Sequence, residues 1–276
     1  MRIRLAHSPD PDDAFMFYGL ACGGVAPGPY RFEHVLQDIQ TLNERARQGE
    51  YEVTAISIHA YPHVCDKYAL TACGSSMGDN YGPLVVARQP STLADLAGRT
   101  IAVPGLMTTA YLALQLALGK DAFTPRVVMF DQIPDEVAAG RVEAGLLIHE
   151  GQLTYKQYGL HAVVDLGVWW QERTGLPLPL GGNAIRRDLG IERCREIAGL
   201  IRASIQYGLD RREEAVKYAL QFGRGLDERL ADRFVGMYVN EWTLDYGPRG
   251  REAVQRLLSD GAAAGLVPDP GTIDFI

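Results

Sequence analysis

TLADLAGRTIAVPGLMTTAYLALQLAL, residues 92–118, is the stretch whose reading decides the fold. It reads as a short helix, a β-branched strand from Thr100 to Val103, a Pro104–Gly105 turn, and a helix apolar on one side. Strand, turn and helix in this succession make one unit of a parallel α/β sheet with helical crossovers on its faces. The same alternation runs outward in both directions. Upstream, Ile3–His7, Phe32–Leu36, Val53–Ile58 and Tyr81–Arg88 read as strands, with a short helix over Thr41–Gln48. Downstream, Val127–Phe130 and Ala144–His149 read as strands separated by helix. From Asp188 to about Ala264 the pattern becomes almost wholly helical, in Arg/Glu-rich amphipathic segments.

Two α/β regions followed by helices predict two lobes within the 276 residues. The first is expected over 1–90 and the second over 91–184, followed by the helices of 185–276, leaving a central cleft for a ligand. A single doubly wound domain is the alternative.

Composition excludes several classes. The formal net charge is −7, from 34 acidic and 27 basic residues, and the basic residues form no stripe interleaved with aromatics, so no nucleic-acid partner is expected. No run of about 18 apolar residues suits a membrane span. The four cysteines lack the spacing of a disulfide framework or a zinc site. The start, MRIRLAHSPDPDDAF, reads as a strand rather than a leader, which sets the expectation of a cytoplasmic protein.

Four segments carry candidate chemistry. At VPGLMTT, residues 103–109, Thr108 or Thr109 can cap the following helix. Its first-turn N–H groups and the two hydroxyls suit a carboxylate or phosphate. At LLIHE, residues 146–150, His149 falls beyond the end of a buried strand, where ligands collect in open α/β sheets. An imidazole there suits proton abstraction; Glu150 points the other way if the strand continues.

At TAISIHAY, residues 54–61, Ser57 can bind a carboxylate or hydroxyl, while His59 reads as structural. His59 and His63 are four apart, but no third ligand accompanies them, so no metal is expected. At HSPDPDDAF, residues 7–15, Asp12 or Asp13 can cap a helix, and the prolines are expected to spread the acids. Trp169 and Trp170 offer either a ring to stack on a planar ligand or core packing. Neither G-x-S-x-G, G-x-G-x-x-G nor GK[ST] occurs at these sites, which argues against a serine hydrolase or nucleotide enzyme.

Taken together, SPDPDDAFMFYGL, GPLVVAR, VPG with TTAYLAL, GLLIHE and WWQERTGLPLPLGG resemble the 1,4-dihydroxy-6-naphthoate synthase family of the futalosine route to menaquinone. The resemblance covers essentially the whole chain. It implies a two-lobed fold of the type II periplasmic-binding-protein kind, in which the helices of 185–276 return to the 1–90 lobe. It also implies lyase chemistry on cyclic dehypoxanthine futalosine, a small aromatic carboxylate substrate, and no cofactor. His149 corresponds to the family's proposed base, Ser57 to its strand-end serine, and Thr108 and Thr109 to its paired threonines. On that reading Thr108, Thr109 and Ala110 hold the substrate carboxylate, and Ala55, Ile56 and Ser57 fix its other side. Asp10 and Asp12 depart from the family's SPCPND opening loop, standing at its Cys and Asn positions. The competing class on the same fold is a non-catalytic solute-binding protein.

Overall fold

The computed structural model describes residues 1–223 and 227–276; the part of the expected helical region at 224–226 lies outside them. Its strands are β1 (Arg2–His7), β2 (Arg31–Leu36), β3 (Val53–Ser57), β4 (Tyr68–Leu70), β5 (Ser76–Gly78), β6 (Leu84–Ala87), β7 (Thr100–Val103), β8 (Thr124–Val127), β9 (Ala144–Leu147), β10 (His161–Asp165) and β11 (Leu178–Arg186). They form two sheets, one per lobe. The first has the order β2-β1-β3-β11-β4, with β5 also on β11; the second has the order β10-β6-β9-β7-β8.

The unit at 92–118 folds as its pattern predicts. β7 is buried from Ile101 to Val103, and the helix Thr109–Leu118 starts at the expected capping residue, Thr108. The expected all-parallel pairing does not hold. β1, β2 and β3 are parallel, as are β7, β8 and β9. However, β6 runs antiparallel to both β9 and β10, and β11 antiparallel to β3, β4 and β5. The cause is connectivity: the chain crosses between the lobes after β5 and returns after β10, and each crossing delivers a strand against the prevailing direction.

These crossings also displace the expected lobe boundaries. β6 lies within 1–90 yet pairs in the second sheet, and β11 begins within 91–184 yet pairs in the first. One further strand moves: the run expected at Val127–Phe130 is paired at Thr124–Val127, with Phe130 in a following 3-10 turn.

The later helices return to the first lobe. Ile191–Asp210 packs on the short helix Tyr18–Ala21, and Arg212–Leu220 packs on Pro11–Met16. The last helix, Gly247–Ala263, lies against β11 and also touches the helix Thr109–Leu118 of the second lobe. No helix among the described residues is long and apolar enough to cross a membrane.

Candidate functional site

A cavity opens between the lobes, lined by residues from both of them. The seven residues that the resemblance implies as base and substrate contacts (Ala55, Ile56, Ser57, Thr108, Thr109, Ala110 and His149) all line it. β3 delivers the first three, because its C-terminal end faces the cleft. Gly181, Gly182 and Asn183 of β11 pair directly with Ser57, Ile56 and Ala55. A Cβ at Gly182 would stand 2.4 Å from the buried Tyr246 hydroxyl, so the end of that side chain would have to shift to admit one.

The paired threonines are committed differently from the expectation. Thr108 is the N-cap: its Oγ1 accepts from Tyr111 N (3.3 Å) and donates to Gly105 O (2.8 Å). Thr109 Oγ1 donates to Leu180 O on β11 and accepts from His59 N (3.1 Å). Both hydroxyls are therefore held by the protein, and the anion-binding capacity rests on orphan N–H groups of the first turn. Thr109 acts as a clasp between the lobes. Thr109→Val should cost about 1–3 kcal/mol by leaving Leu180 O and His59 N unpaired. Chemical denaturation checks this; an unchanged midpoint would show that the clasp contributes nothing.

Ser57 keeps a proton to offer. Its Oγ accepts from Asn43 Nδ2 (2.9 Å), and its own N–H donates to Asn43 Oδ1 (2.8 Å). Asn43 is fully buried, and its Nδ2 also reaches Met107 O (3.3 Å) in the turn before the Thr109 helix. Sequence reading missed it. The available signal was a polar residue on the apolar face shared with Leu42 and Ala46.

His59 is structural. Its ring Nδ1 lies 3.0 Å from Thr108 O, and burial lowers its pKa to about 4. A histidine depressed in the folded state binds its proton less readily than in the unfolded chain. Its contribution to stability is therefore present above pH about 6.5 and is lost as pH falls toward about 4. His59→Asn removes this linkage while keeping a donor for Thr108 O. The stability lead of the parent over the variant should shrink by on the order of 2–3 kcal/mol between pH 7.5 and pH 4. Urea titrations at both values test this, and a lead that does not narrow would show that His59 is not buried in its neutral form.

The acidic loop is gathered rather than spread. Asp10, not Asp12 or Asp13, caps the helix Pro11–Met16, its Oδ1 accepting from Asp13 N (3.1 Å). Asp13 Oδ2 accepts from Ser8 N (2.7 Å), and Asp12 Oδ2 accepts from Ser76 Oγ (3.0 Å). All three acids are buried and line the cavity. Burial, together with the facing Asp10, drives Asp12 and Asp13 well above the usual carboxylate range, Asp13 adding to the shift of Asp12. Burial opposes ionisation of Asp10 too, but the adjacent His149 and surrounding donors outweigh it and hold its pKa below the ordinary value.

His149 lies beyond β9 in the left-handed region, with φ 53°, a strained conformation for a residue with a side chain. Because β9 ends at Leu147, the alternation that would send Glu150 the opposite way does not apply; Glu150 is buried beside it. The imidazole Nδ1 is 3.2 Å from Asp10 Oδ2, the Phe130 ring packs edge-on at 4.8 Å, and Nε2 has no hydrogen-bond partner among the described residues. One donor atom from each of Asp10, Asp12 and His149 falls within 4.8 Å of the others, a spacing the sequence did not anticipate. His59 and His63 belong to no such group among the described residues.

The tryptophans stand apart from the cavity. Trp170 is fully buried and Trp169 packs on it at 6.1 Å between ring centroids, and the aromatic rings that line the cavity wall are those of Phe234 and Tyr238. Neither aromatic was foreseen, because both sit on a helix, Glu228–Tyr238, whose pattern reads as ordinary core.

Fold and site together define a two-lobed α/β protein of the periplasmic-binding-protein type, with a buried acid–imidazole group in its ligand cleft. The chain belongs to the menaquinone biosynthesis family, whose model matches residues 3–263. It is 45% identical over 269 residues to a 1,4-dihydroxy-6-naphtoate synthase of Thermus thermophilus, covering 97% of each chain. It is 40% identical to a protein of the same name from Streptomyces coelicolor, covering 98% of this chain and 96% of that one. Among solved structures, protein AF1704 from Archaeoglobus fulgidus is 48% identical, with a TM-score of 0.91 over 96% of this chain and 98% of that one.

The periplasmic aliphatic sulphonate binding protein SsuA of Escherichia coli shares the fold at 12% identity, with a TM-score of 0.66 over 99% of this chain and 90% of that one. This overturns the expectation of a cytoplasmic protein. The architecture is shared with periplasmic binding proteins, so neither it nor the composition marks a cytoplasmic chain.

Proposed function

We propose that this protein is a lyase that converts cyclic dehypoxanthine futalosine to 1,4-dihydroxy-6-naphthoate in menaquinone biosynthesis. The observation that carries this reading is the similarity, at 45% and 40% identity over nearly the whole chain, to two proteins named 1,4-dihydroxy-6-naphtoate synthase. The lobes that close on the substrate are taken as 1–80 with 178–276, and 84–177, following the two sheets.

The aromatic carboxylate would lie against the first turn at Thr108, Thr109 and Ala110, where helix N–H groups favour an anion. Ala55 and Ile56 would flank it with backbone, and Ser57 would donate its hydroxyl proton. This end of the cavity suits negative charge better than the end formed by Asp10, Asp12 and Asp13. There the sugar-derived part of the substrate would meet His149, whose Nε2 lone pair takes a proton from a ring carbon. Ring opening and elimination then release a small fragment, and formation of the aromatic naphthoate drives the reaction forward.

Incubating the purified protein with cyclic dehypoxanthine futalosine should produce 1,4-dihydroxy-6-naphthoate, read by mass and ultraviolet spectrum. Tight binding of the substrate by folded protein without turnover would sink the lyase reading and favour a solute receptor.

A further inference from the structure

We propose that Asp10 is a positioning residue: its carboxylate fixes the ring of His149 so that Nε2 is the atom presented to the ligand. The role assigned to the imidazole rests on the lyase reading above. Each Asp10 oxygen has its own task, Oδ1 capping the Pro11–Met16 helix through Asp13 N and Oδ2 facing His149 Nδ1 at 3.2 Å. Pro11 at the first helical position and almost complete burial leave the carboxylate little freedom.

A carboxylate at Nδ1 selects the Nδ1–H tautomer, because only that form can donate to it. Nε2 is then left with its lone pair, and no protein group among the described residues competes for it. The contact also crosses the cleft. Asp10 follows β1 of the first sheet, whereas His149 follows β9 of the second. The base is thereby oriented only while the lobes stand close together, which ties proton abstraction to closure over the substrate. Asp10 offers His149 a further service: the left-handed backbone at φ 53° needs something to hold it, and a buried side-chain contact from the other lobe does so.

The test uses Asp10→Ser, which retains an oxygen able to cap the helix but is too short to reach the imidazole. Loss of a hydrogen bond to a charged partner corresponds to a fall in kcat of about 10- to 100-fold, with KM changed less than threefold. Asp10→Asn, which keeps an acceptor without the charge, should recover part of the loss. Independently, 15N spectra of histidine-labelled free protein should show His149 as the Nδ1–H tautomer in the parent and a shift toward Nε2–H in Asp10→Ser. This readout needs no substrate, so it stands even if the parent fails to turn over cyclic dehypoxanthine futalosine. The proposal is overturned by kcat within twofold of the parent, by an unchanged tautomer, or by stoichiometric bound metal whose removal abolishes activity. The last result would make Asp10 a ligand rather than an orienting group.

Discussion

His149→Asn is expected to lower single-turnover product formation by roughly 10²–10⁴-fold, the span typical of a lost general base. The substitution suits the local backbone, because asparagine tolerates the left-handed conformation found at φ 53° better than most residues. Its amide can still donate to Asp10, so the buried carboxylate keeps a partner and the fold should persist. Calorimetric binding of 1,4-dihydroxy-6-naphthoate should therefore change little while the chemical step collapses. A near-parental rate would remove His149 from proton transfer. Loss of both rate and folding would leave it a structural residue.

The second large effect lies outside the cavity. Gly167→Ala should destabilise the protein by about 4 kcal/mol or more, at the far end of what single substitutions do. A Cβ on Gly167 would sit 1.9 Å from Tyr81 O, 2.1 Å from Tyr81 C and 2.6 Å from Gly82 N, all backbone atoms of the other crossing. No rotamer change relieves such an overlap; one crossing segment must move away from the other. Gly199→Ala is the matched control, since nothing lies within 4 Å of its added Cβ and the site is inside the helix Ile191–Asp210. There the change should stabilise by about 0.5–1 kcal/mol. Equal denaturation midpoints for the two variants would show that the crossings are not packed backbone to backbone.

What could be read from the chain, and what could not, follows from the range of each interaction. The unit at 92–118 was legible because its strand, turn and helix are all specified locally. The candidate residues at Ser57 and His149 were legible for a related reason: strand ends in this fold class face the cleft. β11 was not legible. Its Pro179 and Gly181–Gly182 read as a turn, and only pairing with β3, β4 and β5 makes those residues a strand. The acid cluster failed similarly. Sequence spacing suggested that Pro9 and Pro11 separate the carboxylates, whereas the turn into the Pro11–Met16 helix folds them back on one another. The threonine hydroxyls were credited to a ligand because their partners, Leu180 and His59, are distant in the chain.

The placement of β11 also bears on how the protein is made. The second sheet uses strands from residues 84 to 165 without interruption, so it can assemble once that stretch has left the ribosome. The first cannot: β1, β2 and β3 emerge early, but β3 waits for a neighbour that is synthesised only at residues 178–186. Until then one side of β3, fully buried in the finished protein, is an open template for pairing with another nascent chain. The lobe that begins the sequence is thus the last to be completed. Agents that stall translation between residues 60 and 178 should therefore leave aggregation-prone fragments.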